Sequence, residues 1–121
     1  MAGIQGTRKY DLEDRTLAFA KEVIQFVNRL PKTIANNEIA RQLIRSAGSV
    51  GANYIEANES LGKKDFAMRI KISRKEAKES RYWLQLAECN RDSEDARAHL
   101  IQESTELMKI FGAILEKTKH E

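Results

Sequence analysis

Six cations recur along one stretch of the chain: Lys64, Lys71, Arg74, Lys75, Lys78 and Arg81. On a helix, at about 100° per residue, they share one exterior arc. From Lys63 to Arg81 the chain holds eight Lys or Arg against three Asp or Glu. The chemistry open to such a ridge is charge-assisted hydrogen bonding to phosphate oxygens, which makes RNA or DNA one candidate partner; a solvated helix face is the plainer reading. Tyr82, beside the ridge, could stack on a base, whereas Trp83 falls on an apolar stripe and is assigned to packing. Arg41 and Arg45 are second candidates for phosphate contact, second because Glu56 could hold them.

Other chemistry finds little support. Glu56, Glu76 and Glu79 could form a carboxylate cluster with raised pKa values, or pair with Arg41, Arg45, Lys75 and Arg81; ion pairing is the reading adopted. His99 and His120 both fall on the expected fourth helix and neither follows a Glu by three positions, so the inward Glu-x-x-His pairs of a di-iron bundle are missing. Cys89 is the single cysteine and has no obvious His partner. No phosphate loop, Gly-x-Gly-x-x-Gly run or Ser-His-Asp grouping is apparent. The sequence therefore predicts no catalytic, cofactor-binding or metal residues, and a protein that is not an enzyme.

The elements that must carry these residues are helices. In 121 residues there are one Pro and six Gly, with 41% hydrophobic and 32% charged residues, a balance that favours long helices over sheet or disorder. That length suits one domain without disulfide or metal staples. A lone cysteine, with no signal peptide and no apolar run of about 18 residues, predicts a soluble cytoplasmic protein with no membrane partner.

Met1 to Lys9 lacks periodicity and is expected to be a flexible arm. A first helix from about Asp11 to Leu30 places Leu12, Thr16, Phe19, Val23, Phe26 and Leu30 on one face, with Asp11, Glu13 and Asp14 at its positive end. Pro31 stops it. A second helix, capped by Asn36 or Asn37 and reaching about Ser60, buries Ile39, Leu43, Ala47, Val50, Tyr54, Ala57 and Leu61. Gln42, Ser46, Ser49, Asn53, Glu56 and Ser60 repeat the same spacing on another face; that stripe is either wet or a place where helices approach closely. Gly62 is expected in the left-handed position that ends a helix.

The third helix, Lys64 to Leu86, packs Phe66, Ile70, Ser73, Ala77, Ser80 and Leu84 inward, with Ala87 just beyond. Met68, Ile72, Trp83 and Leu86 form a second apolar stripe beside the first, more than one small bundle core requires. Those four, with Ser49, Asn53 and Glu56, are the predicted oligomer interface. A fourth helix, about Ser93 to Lys119, sets Ala96, Leu100, Leu107, Phe111 and Ile114 on one side, with Ile101, Met108 and Leu115 alongside. Four helices with short links predict an all-α, antiparallel up-down-up-down four-helix bundle, one domain over residues 10–119.

The run from Gln42 to Asn58, QLIRSAGSVGANYIEAN, resembles the motif Gln-Leu-x-Arg-(Ala/Ser)-Ala-x-Ser-(Ile/Val)-x-x-Asn-x-x-Glu of the 23S rRNA intervening sequence proteins, also called S23 ribosomal proteins. Gln42, Leu43, Arg45, Ala47, Ser49, Val50, Asn53 and Glu56 match it. Asp65-Phe66, Ile70, Lys75-Glu76, Glu79 and Tyr82-Trp83-Leu84 are similar too, and the resemblance covers most of residues 10 to 115. It implies an antiparallel bundle assembling into a homopentamer, with some genes of the family lying inside insertions of large-subunit rRNA genes. A related branch looks like the accessory proteins of diversity-generating retroelements, basic pentamers that bind nucleic acid and a reverse transcriptase. The resemblance implies no catalytic residues. The expected function is thus a homo-oligomer that binds RNA or DNA through phosphates, or else a protein-interaction scaffold, for example one docking a reverse transcriptase.

Overall fold

A computed structural model describes residues 3–121, with side chains described from Leu12 onward. Its helices are α1 (Gly3–Asn28), α2 (Ile34–Asn58), α3 (Lys63–Leu86) and α4 (Glu94–Lys119), with a short 3-10 turn at Arg91–Ser93 before α4. The flexible arm expected over Met1–Lys9 falls on a stretch whose side chains, and whose first two residues, lie outside those described. The backbone of α1 begins at Gly3 rather than near Asp11, so Asp11, Glu13 and Asp14 are not in its first turn. Gly3 and Gly6 weaken a helix by about 1 kcal/mol each but, unlike proline, do not block its hydrogen bonds.

Successive helices pack side by side and α1 also meets α4, more sparsely, which closes the four into an antiparallel bundle. Contacts across each seam run in opposite order along the two partners, as when Asn53 meets Arg69 while Arg45 meets Glu79. The core is the expected set: Leu12, Thr16, Phe19, Val23, Phe26 and Leu30 from α1 are all buried, as are Ile39, Leu43, Ala47, Val50, Tyr54 and Ala57 from α2. In α3 the buried line is Ile70, Ser73, Ala77, Ser80 and Leu84, with Phe66 half-buried. Along α4 it runs Leu100, Ser104, Leu107, Phe111, Leu115 and Thr118, so Leu115 is inside and Ile114 flanks it.

The α2–α3 seam is built on small hydroxyl residues. Ser46 Oγ lies 2.8 Å from Ser80 Oγ, and Ser73 Oγ donates to the Val50 carbonyl at 2.9 Å, all three serines being fully buried. Small side chains let the backbones approach, and each of these buried hydroxyls finds a partner.

Three sequence expectations are corrected at the helix ends. The cap of α2 is Thr33, whose side chain accepts from the Asn36 N–H at 3.0 Å. Asn36 is instead 2% exposed, donating to the carbonyls of Pro31 and Glu88 at 2.9 Å each and accepting from the Glu88 N–H at 3.1 Å. One side chain thereby ties the α1–α2 link to the α3–α4 link. Leu61 is fully exposed, because α2 ends before it. Gly62 is extended, at φ −136° and ψ 160°, and caps α3; no described residue has a positive φ. The chain leaves α2 through tightened bonds from Glu59 and Ser60 to the carbonyls three residues back, which needs no left-handed residue.

Replacing Asn36 by Ala removes three hydrogen bonds at once, and is expected to lower the unfolding free energy by about 2–3 kcal/mol. Urea denaturation measures it; a loss under about 0.5 kcal/mol would show that the tie is replaced by water at little cost.

Candidate nucleic-acid interface

Lys64, Lys71, Lys78 recur every second turn of α3, and with Arg74 and Lys75 they form the wall of a groove between α3 and α4. All five are exposed. The groove is two adjoining hollows of about 470 and 400 Å³, floored by Gly112, Leu115, Thr118 and Ala67. Lys119 reaches it from the end of α4 and Lys63 from the start of α3. Among the described residues none of Lys64, Lys71, Arg74, Lys75 and Lys78 has an ion partner. Glu116 is the acid on the groove wall, and it sits 3.3 Å from His120. A side chain at Gly112 would lie 3.5 Å from Arg74 Nη1, so the glycine leaves room for the guanidinium across α4.

Three predicted phosphate contacts are not on this wall. Arg81 is half-buried and donates to Thr105 Oγ1 at 3.2 Å, stitching α3 to α4. Arg41 is exposed on α2, 3.9 Å from Glu38. Arg45 is held on the α2–α3 face, with Nη1 3.5 Å from Glu76 Oε1 and Nη2 donating to Glu79 Oε2. Its partners are therefore Glu76 and Glu79, not Glu56, which is exposed. Lys119 escaped the sequence reading, although two lysines in the last turn of α4 were its signal.

The predicted interface residues divide into two groups. Met68 and Leu86 are exposed at 49% and 47%, and Ile72 and Trp83 are half-buried. Trp83 Nε1 donates to Glu79 at 3.1 Å and its ring meets Tyr82 edge-on at 5.1 Å, while Tyr82 itself is exposed. Ser49 and Asn53 are half-buried and belong to a polar ladder: Asn53 Nδ2 donates to Ser49 Oγ and Arg69 Nη1 donates to Asn53 Oδ1, at 2.9 and 3.1 Å. The small polar stripe of α2 is thus the flank of the α2–α3 seam.

The carboxylates do not form a raised-pKa cluster. Donation from Trp83, and secondarily from Arg45, holds Glu79 below the usual carboxylate range. Glu76 is 7% exposed, and its Oε1 has no hydrogen-bond donor beyond the charge contact with Arg45. Across the bundle, Arg15 forks onto Glu103 and Glu106, which raises its own pKa and keeps it charged. His99 lies 3.2 Å from Glu22, and no group of three metal donors converges among the described residues. Burial pushes the Cys89 thiol up, away from reactivity.

The described residues form an all-α four-helix bundle, with a groove of lysines and Arg74 between α3 and α4 and an ion-pair ladder beside the α2–α3 seam. The family model of the 23S rRNA-intervening sequence protein matches residues 8–113, and the chain belongs to that family. A crystal structure of a protein of unknown function from the S23 ribosomal protein family of Bacteroides thetaiotaomicron is similar: 28% identity over 85% of this chain and 96% of that one, with a TM-score of 0.73. No curated protein matches the sequence. No described helix is long and apolar enough to cross a membrane.

Among the described residues Arg45 is the one ion partner of the buried Glu76 carboxylate, and Arg45→Met removes it. Because the guanidinium is half exposed, the expected cost is about 1–2 kcal/mol, less than for a fully buried pair. Adding Glu76→Gln should restore part of it in a double-mutant cycle; strictly additive losses would contradict the pairing. Glu79, with its pKa depressed on folding, stabilises fully above the unfolded carboxylate pKa of about 4.3 and loses this as pH falls through the lower folded value. Trp83→Phe should therefore narrow the difference in urea midpoint between neutral pH and about pH 3.

Proposed function

We propose that the protein is a non-enzymatic homo-oligomer, acting in the cytoplasm, that binds RNA or DNA through phosphates laid along the α3–α4 groove. What supports this reading most is the row Lys64, Lys71, Arg74, Lys75 and Lys78, exposed and without ion partners among the described residues, facing Lys119 across a hollow with an apolar floor. Elsewhere on the bundle arginines are spent on carboxylates, as Arg15 and Arg45 are. The subunit number taken is five, as the family resemblance implies. Symmetry then multiplies a few charges per subunit into a surface with weak sequence preference and strong avidity.

The scaffold reading, in which the assembly docks a protein such as a reverse transcriptase, draws on a different observation. Nine large hydrophobic side chains remain exposed on the described subunit, more than oligomerisation through the α3 stripe would cover. In that case the lysines serve solubility alone.

Retention of mixed RNA and DNA should fall by about a thousand-fold between 50 and 200 mM salt if six phosphates are neutralised. Lys71→Glu, Lys75→Glu and Lys78→Glu together should abolish it while leaving the helical signal intact. Undiminished binding by that triple variant would reject the groove, and absence of binding by the unaltered protein would leave the scaffold reading in its place.

A further inference from the structure

Where α1 and α4 meet, sparsely, the bundle keeps a hollow of about 430 Å³, at the opposite end of α4 from the lysine groove. Helix α1 contributes Glu22, Gln25 and Arg29 to its walls, and the α4 side contributes Ser93, Ala96 and His99. Phe26 and Leu100, each 2% exposed, form its floor. A concave space of this size, apolar beneath and polar at a few points, suits a small molecule.

The antiparallel pairing sorts the polar side chains into two poles. Glu22 and His99 meet at 3.2 Å at one of them. Arg29 lies about 10 Å further along α1 and Ser93 about 9 Å back along the α4 side, so these two share the other. Arg29 is exposed and has no ion partner among the described residues, whereas Arg15, Arg45 and Arg97 are each held by carboxylates. Ser93 is 2% exposed and occupies the N-cap position of α4, yet its hydroxyl makes no capping hydrogen bond and none with any other described residue. Glu76 Oε1 is the one fully occluded side-chain oxygen without a partner among the described residues, so Ser93 Oγ is still reached from outside, and the hollow it lines is the route. Buried hydroxyls are normally bonded; this one is left open toward the space between Arg29 and Gln25.

The charges restrict what fits there. Arg29 is the one permanent cation on the lining and Glu22, against His99, the one acid. Lys21, Asp92 and Asp95 are sequence neighbours of lining residues but do not line the hollow, and Glu103, further along α4, is taken by Arg15. So balanced a set offers a polyanion little. It offers a single oxyanion a guanidinium and a hydroxyl, both donors, at the Arg29 pole, and offers a hydroxyl or amine an acceptor at the Glu22 pole.

We propose that this hollow binds a small molecule with one carboxylate or phosphate monoester at one end and a hydroxyl or amine donor at the other, the two less than about 10 Å apart. Arg29 and Ser93 hold the oxyanion, Glu22 and His99 receive the donor end, and Phe26 and Leu100 pack beneath the body of the ligand. The site is separate from the lysine groove and does not depend on what that groove binds.

The two histidines of the chain make the test direct, because His99 stands in the hollow and His120 beside Glu116 at the lysine groove. Their ring proton resonances report the two places separately. Phosphoethanolamine and γ-aminobutyrate serve as the phosphate and carboxylate probes, and inorganic phosphate as the anion lacking a donor end. At least one of the first two should shift His99 saturably, with inorganic phosphate about ten-fold weaker or without effect. Arg29→Met should weaken that binding about ten-fold or more, and Ser93→Ala about three- to ten-fold. Ser93→Ala should leave the melting temperature unchanged, since the hydroxyl caps nothing. A His99 resonance unmoved by both organic probes at about 10 mM, a response confined to His120, or a His99 shift undiminished by Arg29→Met would overturn the site. Equal affinity for inorganic phosphate would mark an adventitious ion only and overturn it too. None of these results bears on nucleic-acid retention or on subunit mass, so the reading of the groove stands or falls separately.

Discussion

The close α2–α3 seam is the constraint from which the rest follows. Ser46, Ala47 and Val50 on one side and Ser73, Ala77 and Ser80 on the other are all buried, and most are too small to hold two helices apart. The hydroxyls that would be stranded in such a seam bond to one another or to backbone carbonyls, which makes close packing affordable and fixes the rotation of α3 about its axis. Once that rotation is set, the lysines must face α4 and the second apolar stripe must face outward.

The polar ladder outside the seam reinforces the same register. Arg69 reaches Asn53 near one end, and Arg45 reaches Glu76 and Glu79 near the other. The matched family positions Arg45, Ser49, Asn53, Glu76 and Glu79 thereby acquire a structural role, that of aligning α2 with α3. This accounts for their polarity without assigning them chemistry.

Much of this was legible in one dimension, because a bundle core imposes a repeat of alternating threes and fours. Every core position proposed for α1 is buried from Leu12 onward, as is the inner line of α3 from Ile70. Helix ends were less legible. Thr33 and Asn36 are both capable caps, and what decides between them is a carbonyl at Glu88, far away in sequence. The ridge was readable as a set of lysines, but the loss of Arg81 to Thr105 and of Arg45 to the carboxylates depends on neighbouring helices. Leu17 and Ile24 look like ordinary surface residues in the sequence, and their exposure alongside Ile44 and Ile55 emerges only once α1 and α2 are packed together. A glycine, likewise, gives no sign in sequence of whether a neighbour presses on it, and only packing separates Gly48 from Gly51.

The basic groove lies between α3 and α4 and the exposed Met68 and Leu86 lie on α3 outside it, so on the proposed reading association and phosphate binding draw on different side chains. The most direct check on that separation follows the emission of the single tryptophan, Trp83, alongside the mass in solution as the unaltered protein is diluted from micromolar concentration. The half-buried indole should shift to longer wavelength as the assembly falls apart to subunits, with helicity unchanged. A constant subunit mass and an emission that does not move over the whole range would contradict the account.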